Sequence, residues 1–268
     1  MPIININNCN YHYEIHGSGE DFLVFSHGLL WNGSIFQKQI EHFQSKYSIL
    51  IYDQCGHGQS EVLDNDFKSR CLYKDLIQLL DHLKLKQVHF IGLSMGADIG
   101  IRITLKRPDL VKSLILMSAS ITPEDNYKKY KLLNNIVKFS GIKAVIQPVL
   151  VNMFSIHFLN DPKQKEEVEK WSDELLKNEK DIHKAVSSAL KRKNIDRDKL
   201  QYITCPTLIL AGSEDKAIPP ENSEFIHLKM KGSTLNYIEG AGHMICLEDP
   251  ETCNVEIGNF LDQFNSSN

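Results

Sequence analysis

The sequence predicts an α/β protein with a mostly parallel, twisted sheet. An antiparallel hairpin opens it, helices cover both faces, and a helical cap is inserted late in the chain. Three observations predict this. Short apolar runs alternate with segments of helical periodicity from residue 22 to 121 and again from 203 to 264. Those runs are apolar throughout rather than at every second position, as strands buried on both faces require. Between the two blocks, 122–202 carries helical periodicity and no strand signal.

Each element follows from its residues. Ile3–Ile6 and Tyr11–His16 alternate apolar and polar positions around Asn7-Asn8-Cys9-Asn10, the pattern of an antiparallel hairpin. Phe22–Phe25 is a short strand, followed by His27-Gly28 and a helix near Ile35–Phe43. Ser48–Tyr52 is the next strand and runs into Asp53-Gln54-Cys55-Gly56-His57-Gly58-Gln59-Ser60. Leu72, Leu76, Leu79, Leu80 and Leu83 share one helical face. Val88–Ile91 is a buried strand that feeds Gly92-Leu93-Ser94-Met95-Gly96. An apolar helix follows through Ile99, Ile101, Ile103 and Leu105. Leu114–Met117, Thr207–Leu210 and Leu235–Ile238 complete the strands, and a last helix runs from about Pro250 to Phe264.

Residues 1–121 and 203–268 therefore form one core domain, and 122–202 the cap. In the cap, Tyr130, Leu133, Ile136 and Val137 repeat at helical spacing, as do Val168, Trp171 and Leu175. Pro148 and Pro162 punctuate it. A chain of 268 residues is ample for one such core.

Composition excludes several functions. A formal net charge of -4 argues against nucleic acid or an acidic membrane as partner. The basic run Lys191-Arg192-Lys193 is followed by Asp196 and Asp198, which makes it a solvated face. Met1 to Asn10 is polar, without the basic and apolar regions of a signal peptide, and no apolar run approaches a membrane span. The expected location is cytoplasmic. The six cysteines show no Cys-x-x-Cys spacing and are expected to be free thiols, mostly buried. Cys55, in a glycine-rich loop, is the candidate for oxidation, although packing is its first expected role. No His-Glu-x-x-His, P-loop or Gly-x-Gly-x-x-Gly occurs, so no metal and no cofactor are expected. A monomer and a homodimer fit the sequence equally.

The chemistry centres on Ser94. A serine between a strand end and a helix start has its hydroxyl pushed out of the sheet, and the glycines around it admit close backbone. The helix directs its N-terminal N–H groups and positive dipole end to the same place. A serine hydroxyl is a poor nucleophile and needs a base, itself held by a carboxylate. Among eleven histidines, His243 lies in a small-residue loop after the last strand, Glu239-Gly240-Ala241-Gly242-His243-Met244. Loops after parallel strands converge on the ligand crevice. The acid is sought in the Gly212-Ser213-Glu214-Asp215 loop, where Glu214 and Asp215 are adjacent alternatives. Either gives the chain order serine, acid, histidine. Asp53, His57 and His27 are read as loop-shaping residues. His157, in the cap, is a minor candidate for substrate contact, and Arg102 and Lys216 are the cations to watch.

The tetrahedral intermediate needs preorganised donors for its oxyanion. The backbone N–H of Met95 is one, and that of Leu29 the other. Leu30, Trp31, Met153, Phe154, Phe158 and Met244, with Leu29 and Met95, are candidates to line an apolar substrate pocket, against an equally weighted role as ordinary core.

Taken in order, Ser26-His27-Gly28, Asp53 to Ser60, Gly92-Leu93-Ser94-Met95-Gly96, Gly212 to Pro219, and Gly240-Ala241-Gly242-His243 with Glu248 and Pro250 resemble the α/β-hydrolase superfamily in its capped esterase and lactonase branch. The resemblance spans nearly the whole chain. Its spacing favours Asp215 over Glu214 as the acid and implies that the Asp53–Ser60 loop is structural. Relatives of this fold with an aspartate nucleophile, the haloalkane dehalogenases and epoxide hydrolases, are excluded by Ser94. Met117-Ser118-Ala119 offers no acid after the preceding strand. Two departures stand out. Ala97 takes the place of a frequent third glycine, and Gln54-Cys55 lacks an arginine common before the glycine.

The resemblance implies a serine hydrolase that cleaves a small carboxylic ester or lactone with an apolar acyl or alkyl group. Carbon–carbon bond cleavage or lyase chemistry on the same residues is the alternative. A ligand-binding protein on a hydrolase scaffold is a third reading.

Overall fold

Among the described residues, eight strands form one sheet: β1 (Ile3–Ile6), β2 (Cys9–His16), β3 (Phe22–Ser26), β4 (Ser48–Tyr52), β5 (Val88–Leu93), β6 (Val111–Met117), β7 (Thr207–Gly212) and β8 (Ser233–Ile238). The computed structural model describes residues 2–62, 71–121, 127–179 and 181–265. The spatial order is β1-β2-β4-β3-β5-β6-β7-β8. β1 and β2 are antiparallel, β2 pairs antiparallel with β4, and β3 to β8 run parallel. The predicted α/β class with its N-terminal hairpin is the observed architecture.

The central strands are buried at every position in β4 and β5, as doubly covered strands must be. β8 at the edge is half-exposed. Helix α3 (Met95–Lys106) packs on β3, β5 and β6, and α2 (Leu72–His82) packs on α3. A second group, α1 (Gln37–Phe43), α10 (Ile245–Glu248) and α11 (Pro250–Asn265), packs together, with α11 against β7. The strands extend a few residues past the apolar runs. Hydrogen bonding continues through Ser26, Gly92 and Gly212, which have no apolar side chain to mark them.

One helix has no signature in the sequence. α9 (Glu221–Lys229) packs on β7 and β8. Its apolar residues do not form one stripe: Ile226 is buried while Leu228 is exposed. A helix lying at an edge needs only a narrow contact, so periodicity does not reveal it.

Between β6 and β7 the described residues are helical. They comprise α4 (Tyr127–Ser140), α5 (Ile146–Met153), α6 (Ile156–Asn160), α7 (Lys165–Leu176) and α8 (Ile182–Ala189), joined by short 3-10 turns. The expected start of the cap at 122 lies outside the described residues. Aromatic contacts fasten the insert to the core. Trp31 meets Phe154 and Trp171 edge to face, each at 6.1 Å between ring centroids, and Phe154 stacks on Phe158 at 5.3 Å. Such pairs add about 0.5–1.5 kcal/mol each beyond their buried area. Among the described residues no helix is long and apolar enough to cross a membrane, and no three His, Cys, Asp or Glu side chains converge to hold a metal ion.

Candidate active site

The serine turn is built by backbone geometry. Ser94 has φ 54 and ψ -110, a conformation that L side chains rarely adopt. Such a residue costs about 1–3 kcal/mol and persists only where its surroundings enforce it. Two features enforce it here. The Ser94 N–H donates to the Met117 carbonyl at the end of β6 (2.9 Å), and the Ser94 carbonyl accepts the Asp98 N–H inside α3 (3.1 Å). Gly96 permits the tight approach: a Cβ there would overlap the Ser26 carbonyl. Ala97 is fully buried.

Asp215 and His243, from the loops after β7 and β8, meet. His243 Nδ1 lies 2.8 Å from Asp215 Oδ2, and both residues are buried. The other carboxylate oxygen, Asp215 Oδ1, accepts the N–H groups of Ala217 (2.9 Å) and Ile218 (2.8 Å). With the carboxylate as acceptor, His243 Nδ1 carries the proton and Nε2 the lone pair. Glu214 is exposed, so packing separates the two adjacent carboxylates. His243 is fixed from behind by the Ser118 hydroxyl, which donates to the His243 carbonyl (3.0 Å). His243 and Ser94 line the same cavity.

The loop after β3 passes directly beside the serine. An added Cβ at Gly28 would lie 3.5 Å from Ser94 Cβ. Leu29 lines the cavity with Ser94. His27 is fully buried and holds this turn. Its Nδ1–H donates to the Gly28 carbonyl (2.8 Å), while Nε2 accepts the Gln54 N–H (2.9 Å). Burial lowers its pKa to about 4, partly opposed by the Gly28 hydrogen bond, so it is neutral. Met95 opens α3, where a first-turn N–H has no intrahelical acceptor. Its side chain is buried and lies away from the cavity lining.

Gln54 is a residue whose role the sequence did not reveal. Its neighbour Cys55 fills the place before Gly56 where an arginine is common, and the Gln54 side-chain amide donates to the Ser26 hydroxyl (3.3 Å) and the His27 carbonyl (2.5 Å). A neutral amide thus braces the turn beside the serine. Asp53 is a loop latch, accepting from the Gly33 N–H (2.9 Å), the Gln59 N–H (2.8 Å) and His12 Nδ1 (3.1 Å). His57 packs behind His27, 5.2 Å between ring centroids, and burial drives its pKa down to about 3.

The cavity beside Ser94 and His243 has a volume of about 100 Å³. Of the expected lining residues, Leu29, Leu30 and Met153 are there. Trp31, Phe154, Phe158 and Met244 are not; they are buried in the joint between insert and core. The reason is geometric. Trp31 follows Leu30, which has φ 74, and its ring packs between Phe154 and Trp171. The wall comes instead from α4, α5 and α8, including Leu133, Val137, Val149 and Val186. Helical periodicity marked Leu133 and Val137 as one face, without showing that this face looks down on Ser94. His157 is exposed and Arg102 is paired with Asp98 (2.7 Å); neither lines the cavity, nor does Lys216.

Glu248 binds the His243 loop to the insert. Oε1 accepts the Gly242 N–H and Oε2 the Ser155 N–H, both at 3.0 Å. Next to it the Met244 N–H donates to the Met153 carbonyl (3.1 Å). Burial raises the pKa of Glu248 above the usual glutamate value, opposed by these hydrogen bonds.

Known proteins share this arrangement of elements. A family model described as alpha/beta hydrolase fold matches residues 21–250. A 3-oxoadipate enol-lactonase 2 from Acinetobacter baylyi is 29% identical over 243 residues, covering 91% of this chain and 89% of the relative. A putative carbamate hydrolase RutD from Caulobacter sp. is 25% identical over 259 residues, 93% of this chain and 95% of that protein. The crystal structure of an enol-lactonase from Burkholderia xenovorans LB400 superposes with a TM-score of 0.89 at 21% identity, over 97% of this chain and 100% of that one. At that identity the likeness concerns the fold.

Proposed function

The chain belongs to the α/β-hydrolase fold family, and on that premise we propose that it is a serine hydrolase of small carboxylic esters or lactones. The observation that carries the proposal is the 2.8 Å contact between His243 Nδ1 and Asp215, with His243 and the strained Ser94 lining one cavity. The enol-lactonase name of the Acinetobacter relative agrees with it.

In this reading His243 Nε2 takes the proton as Ser94 Oγ attacks the carbonyl carbon. The oxyanion forms against the Leu29 and Met95 N–H groups, in a site screened from water by the insert. Asp215 stabilises the imidazolium without taking its proton. His243 then protonates the leaving alkoxide, and an acyl-enzyme remains on Ser94. Water, activated by His243, attacks the acyl carbon and releases the acid. With a lactone the leaving alkoxide is part of the acyl group, so one hydroxy acid departs. The aliphatic wall from α4, α5 and α8 suits an apolar acyl or alkyl group.

An activated short-chain nitrophenyl ester tests the reaction. Ser94→Ala is expected to lower kcat by about 10⁴–10⁶-fold, and an organophosphonate is expected to label Ser94 alone. No labelling of the wild-type protein refutes a serine nucleophile. A panel of esters, lactones, β-diketones and carbamates then separates ester or lactone hydrolysis from carbon–carbon cleavage and from the chemistry named for the Caulobacter relative. Labelling without turnover on any of them marks a ligand-binding protein on a hydrolase scaffold.

A further inference from the structure

Two thiols far apart in sequence meet inside the protein and take no part in the chemistry above. Cys9 opens β2, and Cys55 lies in the loop after β4. Both are fully buried, and their Sγ atoms stand 3.0 Å apart. A disulfide bond is about 2.05 Å long, so about 1 Å of closure separates the pair from one. The hairpin and the loop are already joined beside the sulfurs, at Asn10 and Glu61. The Glu61 N–H donates to the Asn10 carbonyl (2.9 Å), and the Asn10 N–H donates to the Glu61 carboxylate (3.0 Å).

Oxidation leaves the Glu61 carbonyl with a partner. The Glu61 carbonyl is the nearby acceptor for both thiols, 3.6 Å from Cys9 Sγ and 3.4 Å from Cys55 Sγ, and it also accepts the Gly56 N–H at 2.9 Å. Thiols are weak donors. When both S–H groups are lost, that carbonyl keeps its stronger partner. Cys246 and Cys253 are buried as well, and burial raises the pKa of both, that of Cys246 to about 12. Cys71 is exposed and Cys205 half-buried.

We propose that Cys9 and Cys55 form a disulfide on exposure to a peroxide, stapling the N-terminal hairpin to the loop that braces the His27-Gly28-Leu29 turn. One thiolate attacks the O–O bond of hydrogen peroxide or an alkyl hydroperoxide. Its sulfur becomes a sulfenic acid, and water or an alcohol leaves. The second thiol attacks that sulfur, the S–S bond forms, and the sulfenic oxygen departs as water. Two thiols lose two electrons, and the O–O bond is reduced. A small oxidant suits a buried pair. Cys55 follows Gln54, whose N–H and side-chain amide hold His27, so the staple acts on the support of the serine site. The bond itself does not depend on the hydrolase reading.

The test uses the whole chain with Cys71→Ser to remove the exposed thiol. After peroxide treatment, alkylation and proteolysis, one peptide is expected to link Cys9 to Cys55, and dithiothreitol should release it. The pair closes a loop of 46 residues, so oxidation should raise Tm by roughly 5–10 °C. Cys9→Ala and Cys55→Ala should each abolish both effects while leaving Ser94 open to an organophosphonate. Alkylation of both cysteines after peroxide treatment overturns the proposal. Sulfinic acid at either position without the linked peptide overturns it too. Should the alanine variants fold poorly, the peptide map of the Cys71→Ser chain decides.

Discussion

Replacing Glu248 with alanine probes how the base loop is held in place. Its carboxylate accepts two backbone N–H groups at 3.0 Å, from Gly242 beside the base and from Ser155 in the insert. Hydrogen bonds to a charged group contribute about 1.5–3 kcal/mol each, so removing both forfeits about 3–6 kcal/mol. Relief of a partly buried charge, whose cost is visible in the raised pKa of Glu248, offsets some of that. A net loss of about 2–3 kcal/mol is expected, which for a chain of this size is roughly 4–5 °C in Tm. His243 follows Gly242 directly, and a shift of about 1 Å in a catalytic group can lower the rate about 100-fold. Thermal denaturation and steady-state kinetics on an activated ester check both consequences. The expected signature is a kcat lowered about 10–100-fold with a smaller change in KM. Glu248→Gln, which keeps one acceptor and sets an amide N–H against the other donor, should fall between. If Glu248→Ala keeps Tm within about 1 °C and kcat within about twofold of the wild type, below the effects expected for buried hydrogen bonds, the clamp has no such role.

Three further outcomes follow from the same geometry. Glu248 has a raised pKa in the folded protein, so its contribution is fully present below the usual glutamate pKa of about 4.3 and is lost as pH rises through the folded value; the stability of wild type relative to Glu248→Gln should decline over that window, and a rising difference refutes the sign. His27 and His89 are lowered to about 4 and His57 to about 3, chiefly by burial, so their contribution is present above about pH 6.5 and is lost as pH falls toward those values; His89→Gln should flatten that acid limb in denaturant titrations, and an unchanged limb counts against it. Val186→Phe narrows a cavity of about 100 Å³, and ester chain-length profiles should shift to shorter acyl groups with acetate turnover largely kept.

Much of the fold was legible because central strands carry their burial in their composition. β4 and β5 are covered on both faces, and their apolar runs mark them in any context. α9 was not legible, because an edge helix with exposed Leu228 and buried Ile226 has no stripe to read. The serine, acid and histidine stood in readable places, since loops after parallel strands converge. The choice between Glu214 and Asp215 needed either the family's spacing or the contact at 2.8 Å.

The sequence by itself determined the α/β class, the helical insert and the three residues proposed for catalysis, through local signals: apolar runs, glycines beside Ser94 and loop positions after strands. Tertiary structure alone decided what surrounds them. It sent Trp31, Phe154, Phe158 and Met244 into the joint with the insert, and it turned one face of α4, α5 and α8 toward the serine. It also set Gln54 behind His27, Glu248 across the base loop, and Cys9 against Cys55. Periodicity shows that a helix has an apolar face. Which neighbour that face meets depends on chain segments distant in sequence, and packing decides it.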